Sequence, residues 1–105
     1  CLRAIDVCNG VVLAVTDEEI CDAKALIGKY GLGCEPASAA TIAGLKHLLA
    51  DGVVGKDQRV ACVLTGHVLK DPNVTVSYHK EKQGQFSNPP IEAPNDLKEI
   101  IKLIK

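Results

Sequence analysis

Methionine and tryptophan are missing from this sequence, and aromatic side chains are scarce: one phenylalanine and two tyrosines in 105 residues. The apolar content is therefore aliphatic, drawn from Val, Ile, Leu and Ala, which suits a parallel sheet covered by helices. Charge of one sign is not in excess, with 12 basic against 13 acidic side chains. A nucleic-acid binder would show a basic stripe, and none is present. Lys80 and Lys82 interleave with Glu81, as on a solvated loop. No apolar run approaches the ~20 residues of a membrane span. The opening residues do not read as a secretory signal, because Arg3 and Asp6 interrupt any apolar core. Paired Cys-x-x-Cys and Cys/His spacings are absent too, so the five cysteines support neither a zinc site nor a disulfide framework. Reduced thiols fit a cytoplasmic location. There is no internal repeat, no low-complexity segment, and no G-x-G-x-x-G after a strand to mark a dinucleotide site.

What is present reads as alternating helices and short apolar runs. Residues 1–8 look like the last turns of a helix whose start lies outside the chain, with Leu2, Ile5 and Cys8 on one side. Asn9-Gly10 is a turn signal. Residues 11–15 (VVLAV) are continuously apolar and predict a buried strand. Thr16-Asp17-Glu18-Glu19 is a capping box: Thr16 caps and Glu19 reaches back. The acidic residues there serve capping and the helix dipole rather than catalysis. Ile20, Ala23, Ile27 and Tyr30 recur at helical spacing as the inner face, and Gly31 and Gly33 end the helix. Pro36 suits the first turn of the next helix. Its small residues, from Ala37 and Ser38 to Ala43 and Gly44, allow either close packing against a sheet or a wall of a cofactor cavity. Ile42, Leu45, Leu48 and Leu49 supply its core face, and Asp51-Gly52 stops it.

The stretch 60–72 (VACVLTGHVLKDP) organises the rest. Residues 60–64 suit a strand buried on both faces, with Cys62 as a small core residue. Two helices separate it from residues 11–15, the pattern of parallel strands with crossover connections. In open α/β sheets ligands sit beyond the carboxyl ends of strands. Thr65 offers a hydroxyl there and Gly66 permits close approach; the plainer reading is that the pair only ends a core strand. His67 is a structural histidine or a proton carrier, and Lys70 and Asp71 tie down the loop. Residues 74–78 predict a short edge strand, residues 79–94 an extended surface loop, and residues 95–105 a terminal helix capped by Asn95 with Leu97, Ile100, Ile101 and Ile104 facing inward. His47 and His79 are expected to be solvated.

LTGHVLKDP, together with CEPASAATIAG at 34–44 and VVLAVTDEEI at 11–20, resembles the C-terminal part of threonine synthases. These are pyridoxal-phosphate enzymes of the fold-type-II, tryptophan-synthase-β-like group. The resemblance runs in order from Cys1 to Pro72 and more loosely beyond; Val68 stands where the family more often has glycine. It implies an α/β fold, in which residues 1–105 are a C-terminal segment of the larger domain. It implies the conversion of O-phospho-L-homoserine and water to L-threonine and phosphate. On the family pattern Thr65 donates a hydrogen bond to the pyridine nitrogen of pyridoxal 5'-phosphate. Gly66, Glu35, Ala37 and Ser38 lie along the cofactor cavity, with Glu35 orienting a loop or capping the helix. No lysine here has the family's Schiff-base context, Lys70 included, and no glycine-rich phosphate loop is present. The remainder of the enzyme chain is expected to supply both, in a homodimer, and this segment alone is expected to be inactive. A fragment of a threonine dehydratase or cysteine synthase fits the same class. A non-catalytic α/β interaction module, pairing through exposed strand edges, is the alternative of a different kind.

Overall fold

The computed structural model describes residues 1–82 and 84–104. Gln83, in the expected 79–94 loop, and Lys105, at the end of the expected terminal helix, lie outside the described residues. Five α-helices follow one another: α1 Leu2–Val7, α2 Asp17–Lys29, α3 Pro36–Ala50, α4 Pro72–Ser77 and α5 Leu97–Ile104. A π-helical turn, Tyr78–Lys82, continues α4.

The expected α/β architecture with parallel strands is corrected: there is no β-strand among the described residues. Residues 11–15 and 60–64 have the side chains of strands but not the partners. A β-branched run expresses its preference only against a neighbouring strand in register, and among the described residues neither run enters a ladder hydrogen bond. Both lie along α3 instead, where Leu13 and Cys62 line one groove with Gly44 and Leu48. A Cβ on Gly44 would sit 3.4 Å from Leu13 Cδ1, so the glycine permits that approach. The expected edge strand at 74–78 is corrected too. Pro72 opens a helix there, with Asp71 before it in the left-handed region at φ 57°.

The core lies between α2 and α3. Ala23 and Ile27 of α2 meet Ala39 and Ala43 of α3 over Cys34, with Val15, Ile20, Ile42 and Leu64 packed around them. Small residues let the two axes approach closely, so part of the small-residue surface serves helix packing. Burial of Ile27 contributes about 2 kcal/mol. The capping box forms as the sequence predicts: Thr16 N donates to Glu19 Oε2 at 2.7 Å, and Glu19 N donates to Thr16 Oγ1 at 3.2 Å.

The periphery departs from expectation. Tyr30 and Leu49 are exposed, and so is Cys8. Leu97, Ile101 and Ile104 of α5 face outward, and that helix is capped one residue later than expected, by Asp96 Oδ1 accepting from Lys98 N and Glu99 N. His79 is half-buried, with Nδ1 accepting from Asn88 N at 2.9 Å; burial, then the Lys24 charge, lowers its pKa. The radius of gyration is 17.1 Å, against about 13 Å for a compact chain of this length. The core is small and much apolar surface stays open.

Candidate functional site

The N-terminus of α3 and the turn after residue 64 meet to form one polar cluster. Pro36 fixes the first helical turn, and Glu35 before it is extended at φ −72°, ψ 157°. Its carboxylate makes no capping bond to the helix and turns to the loop. Thr65 Oγ1 donates to Glu35 Oε1 at 2.7 Å, and Lys70 Nζ pairs with Glu35 Oε2. On the main chain, Glu35 N donates to the Thr65 carbonyl at 3.1 Å.

Ser38, one turn into α3 and buried, closes the cluster. Its Oγ accepts from Thr65 N at 2.8 Å and lies 2.7 Å from Thr65 Oγ1. Because the Thr65 proton goes to Glu35, the Ser38 proton goes to Thr65. The result is a directed chain from the Thr65 amide through the Ser38 and Thr65 hydroxyls to the Glu35 carboxylate. The Lys70 ammonium, then the Thr65 hydroxyl, hold the Glu35 carboxyl below the usual carboxylate range, against a smaller opposing effect of burial. Glu35 in turn raises the Lys70 ammonium.

Gly66 is at φ +74°, where side chains are strained, and a Cβ there would lie 2.8 Å from Glu35 Cβ. The turn thus brings its backbone against Glu35, and Thr65 as a residue is exposed. Glu35, Ser38, Thr65 and Gly66 are brought together. Ala37 is not: it is exposed and lines a separate groove of about 650 Å³ with Ile20, Asn73 and Tyr78. His67 shapes its own turn, Nδ1 accepting from Leu69 N at 3.1 Å.

Two contributors escaped sequence reasoning. Lys24 is 8 % exposed and donates to the Cys34 carbonyl at 2.8 Å. Its signal was periodicity, since it follows Ile20 by four and precedes Ile27 by three and so shares their face. Tyr78 is buried and donates to Asp22 Oδ1 at 2.6 Å; its β-branched neighbours had suggested a strand. Among the described residues, no group of His, Cys, Asp or Glu is placed to hold a metal, and no helix is long and apolar enough to cross a membrane.

No family model matches the chain. Curated relatives do. Threonine synthase of Methanocaldococcus jannaschii is 41% identical over 105 residues, covering 99% of this chain and 24% of that protein. Threonine synthase of Methanosarcina acetivorans is 48% identical over 81 residues, 76% of this chain and 20% of the relative. Threonine synthase of Halalkalibacterium halodurans is 43% identical over 98 residues, 92% of this chain and 26% of the relative. The chain therefore spans about a quarter of the length of the curated relatives it matches. The similarity is too high and too continuous to rest on one motif, and the chain belongs to the threonine synthase family, as a counterpart of the C-terminal part of its longer members.

Proposed function

We propose that this chain acts as the C-terminal part of a pyridoxal-phosphate-dependent threonine synthase, which converts O-phospho-L-homoserine and water to L-threonine and phosphate. Residues 1–105 then belong to a larger domain, with the remainder of the enzyme chain supplying the cofactor lysine and the phosphate loop. The complete enzyme is a cytoplasmic homodimer in this reading.

The observation that carries it is the directed hydroxyl chain that runs from Ser38 through Thr65 to Glu35, beside the glycine at position 66. The donor set fits the cofactor. A neutral pyridine nitrogen is an acceptor and needs one hydrogen-bond donor, and Thr65 has a single hydroxyl proton to give. In giving it, Thr65 releases Glu35, whose charge stays matched by Lys70. Ser38 holds Thr65 in place through its amide. Gly66 lets its backbone lie against Glu35 and places no side chain beside Thr65. When bound, pyridoxal phosphate supplies an electron sink. A hydroxyl has no charge to hold the ring nitrogen protonated, which favours elimination and replacement over transamination.

The test is Thr65→Asp in the complete enzyme. Turnover should fall and the cofactor absorption should shift. Unchanged kinetics together with an unchanged spectrum would remove the reading.

A further inference from the structure

Lys24 is the most enclosed cation described in the molecule, 8 % exposed on the inner side of α2. Enclosing an ammonium costs free energy unless its protons are used. Among the described residues Lys24 forms no ion pair. Its hydrogen bond goes to a main-chain carbonyl, that of Cys34, at 2.8 Å. That carbonyl belongs to the peptide unit joining Cys34 to Glu35. The N–H of the same unit donates to the Thr65 carbonyl at 3.1 Å.

A peptide unit is planar and stiff. Held at its oxygen by α2 and at its nitrogen by the Thr65 turn, this one has little freedom to tilt. Glu35, the next residue, precedes Pro36 and is confined to extended backbone, at φ −72°, ψ 157°. The Glu35 side chain leaves the same corner and takes the Thr65 hydroxyl proton. A change at Lys24 is thus passed through one rigid plane to both bonds that join Glu35 to Thr65, while the Ser38 bonds to Thr65 lie outside that plane.

We propose that Lys24 is a positioning residue, which sets the placement of the Thr65 hydroxyl through the Cys34–Glu35 peptide. The catalytic meaning of that placement rests on the function proposed above; the mechanical link does not. Lys24 touches no reacting atom, so its effect should appear in how well Thr65 is held and not in what Thr65 is.

The experiment uses the complete enzyme carrying Lys24→Met and Lys24→Gln, read first by hydrogen exchange. Lys24→Met should speed exchange of the Glu35 amide about tenfold relative to the Ala43 amide, because one net hydrogen bond is lost beside it. Lys24→Gln keeps a donor without the charge and should give a smaller selective effect. Should the methionine variant fail to fold, selectivity at Glu35 in the glutamine variant decides. The second reading is kcat against KM. Lys24→Met should lower kcat about tenfold with KM little changed, and the loss should not multiply with that of Thr65→Val, which removes the hydroxyl, since coupled sites are non-additive.

Unaltered Glu35 exchange, or acceleration no greater than at Ala43, overturns the proposal; so does a full multiplication of the two kinetic losses. If Thr65→Val, which removes the hydroxyl, leaves turnover and cofactor absorption unaltered while Glu35 still loosens selectively in the Lys24 variants, the link stands and the functional reading of the site falls.

Discussion

Thr65 and Glu35 are joined twice, by the Thr65 hydroxyl donating to Glu35 Oε1 at 2.7 Å and by Glu35 N donating to the Thr65 carbonyl at 3.1 Å. Side chain and main chain thus bind the start of α3 to the turn after residue 64. Lys70 supplies the charge that makes this arrangement tolerable, because it pairs with the other carboxylate oxygen.

The pair makes the acid side of the stability profile testable. Glu35 titrates below its ordinary range in the folded state, chiefly through Lys70 and next through Thr65. A carboxyl with a depressed folded pKa adds stability that is complete above the unfolded pKa and is lost as pH falls through the folded one. Lys70→Met removes the largest cause. The variant should unfold at a lower temperature than the native enzyme near neutral pH, and the two should converge on acidification. Thermal midpoints against pH check this; a gap that stays constant into the acid range would show that Lys70 acts by another route.

Gly66 should tolerate alanine poorly, and a second glycine gives the control. Gly66 and Gly52 both have positive φ, at +74° and +70°. A side chain in that region costs about 1–2 kcal/mol at either position. At Gly52 a Cβ meets nothing within 4 Å, whereas at Gly66 it meets Glu35 Cβ at 2.8 Å. Gly66→Ala should therefore lower the thermal midpoint more than Gly52→Ala, and on the proposed reading it alone should weaken cofactor retention. Equal shifts would mean that the Glu35 contact relaxes without cost.

Local signals were legible in the sequence, and signals that depend on distant partners were not. The capping box at Thr16 and Glu19 is written within four residues and formed as read. Thr65, Gly66, Ser38 and Glu35 could be singled out, but their common cluster depends on a meeting of segments about 30 positions apart. Residues 11–15 and 60–64 carried the side chains of strands, and ladder partners in register are what a strand also requires. At 74–78, Pro72 and the burial of Tyr78 outweighed three β-branched residues. Lys24 is not legible from composition, because charged residues are rarely enclosed, although its spacing from Ile20 and Ile27 places it inward. Asn95 and Asp96 are both good caps, and which one serves is decided by a one-residue shift of α5.

Tyr78→Phe isolates the bond that ties the end of α4 to α2. The phenol is buried, donates to Asp22 Oδ1 at 2.6 Å and accepts from Phe86 N at 3.4 Å. Burial, followed by the bond to Asp22, pushes its pKa up. The substitution keeps the ring and loses both bonds, at a cost of about 2–3 kcal/mol. In the complete enzyme, exchange at the Phe86 amide should quicken while that at Ala43 stays unchanged. A midpoint equal to the native one, with Phe86 still protected, would show that ring packing alone holds α4.

Thr16→Ala separates the two halves of the capping box. The hydroxyl accepts from Glu19 N, and that bond is lost; Thr16 N still donates to Glu19 Oε2, because this half uses the backbone of residue 16. Glu19 also holds His47 Nε2 of α3 at 2.6 Å through its other oxygen. With its backbone partner intact, Glu19 stays in place to keep His47. The loss should thus be confined to the cap, at about 1 kcal/mol, and should appear as faster exchange of the Glu19 amide. Thr16→Ser, which restores the acceptor, should recover most of it. The bond to Thr16 N is the largest cause holding the Glu19 carboxyl below its usual range, with His47 next, so Thr16→Ala should leave most of that depression in place. An NMR titration of Glu19 that moved up to the ordinary carboxylate range in Thr16→Ala would mean that the hydroxyl, not the backbone amide, organises the start of α2 and its tie to α3.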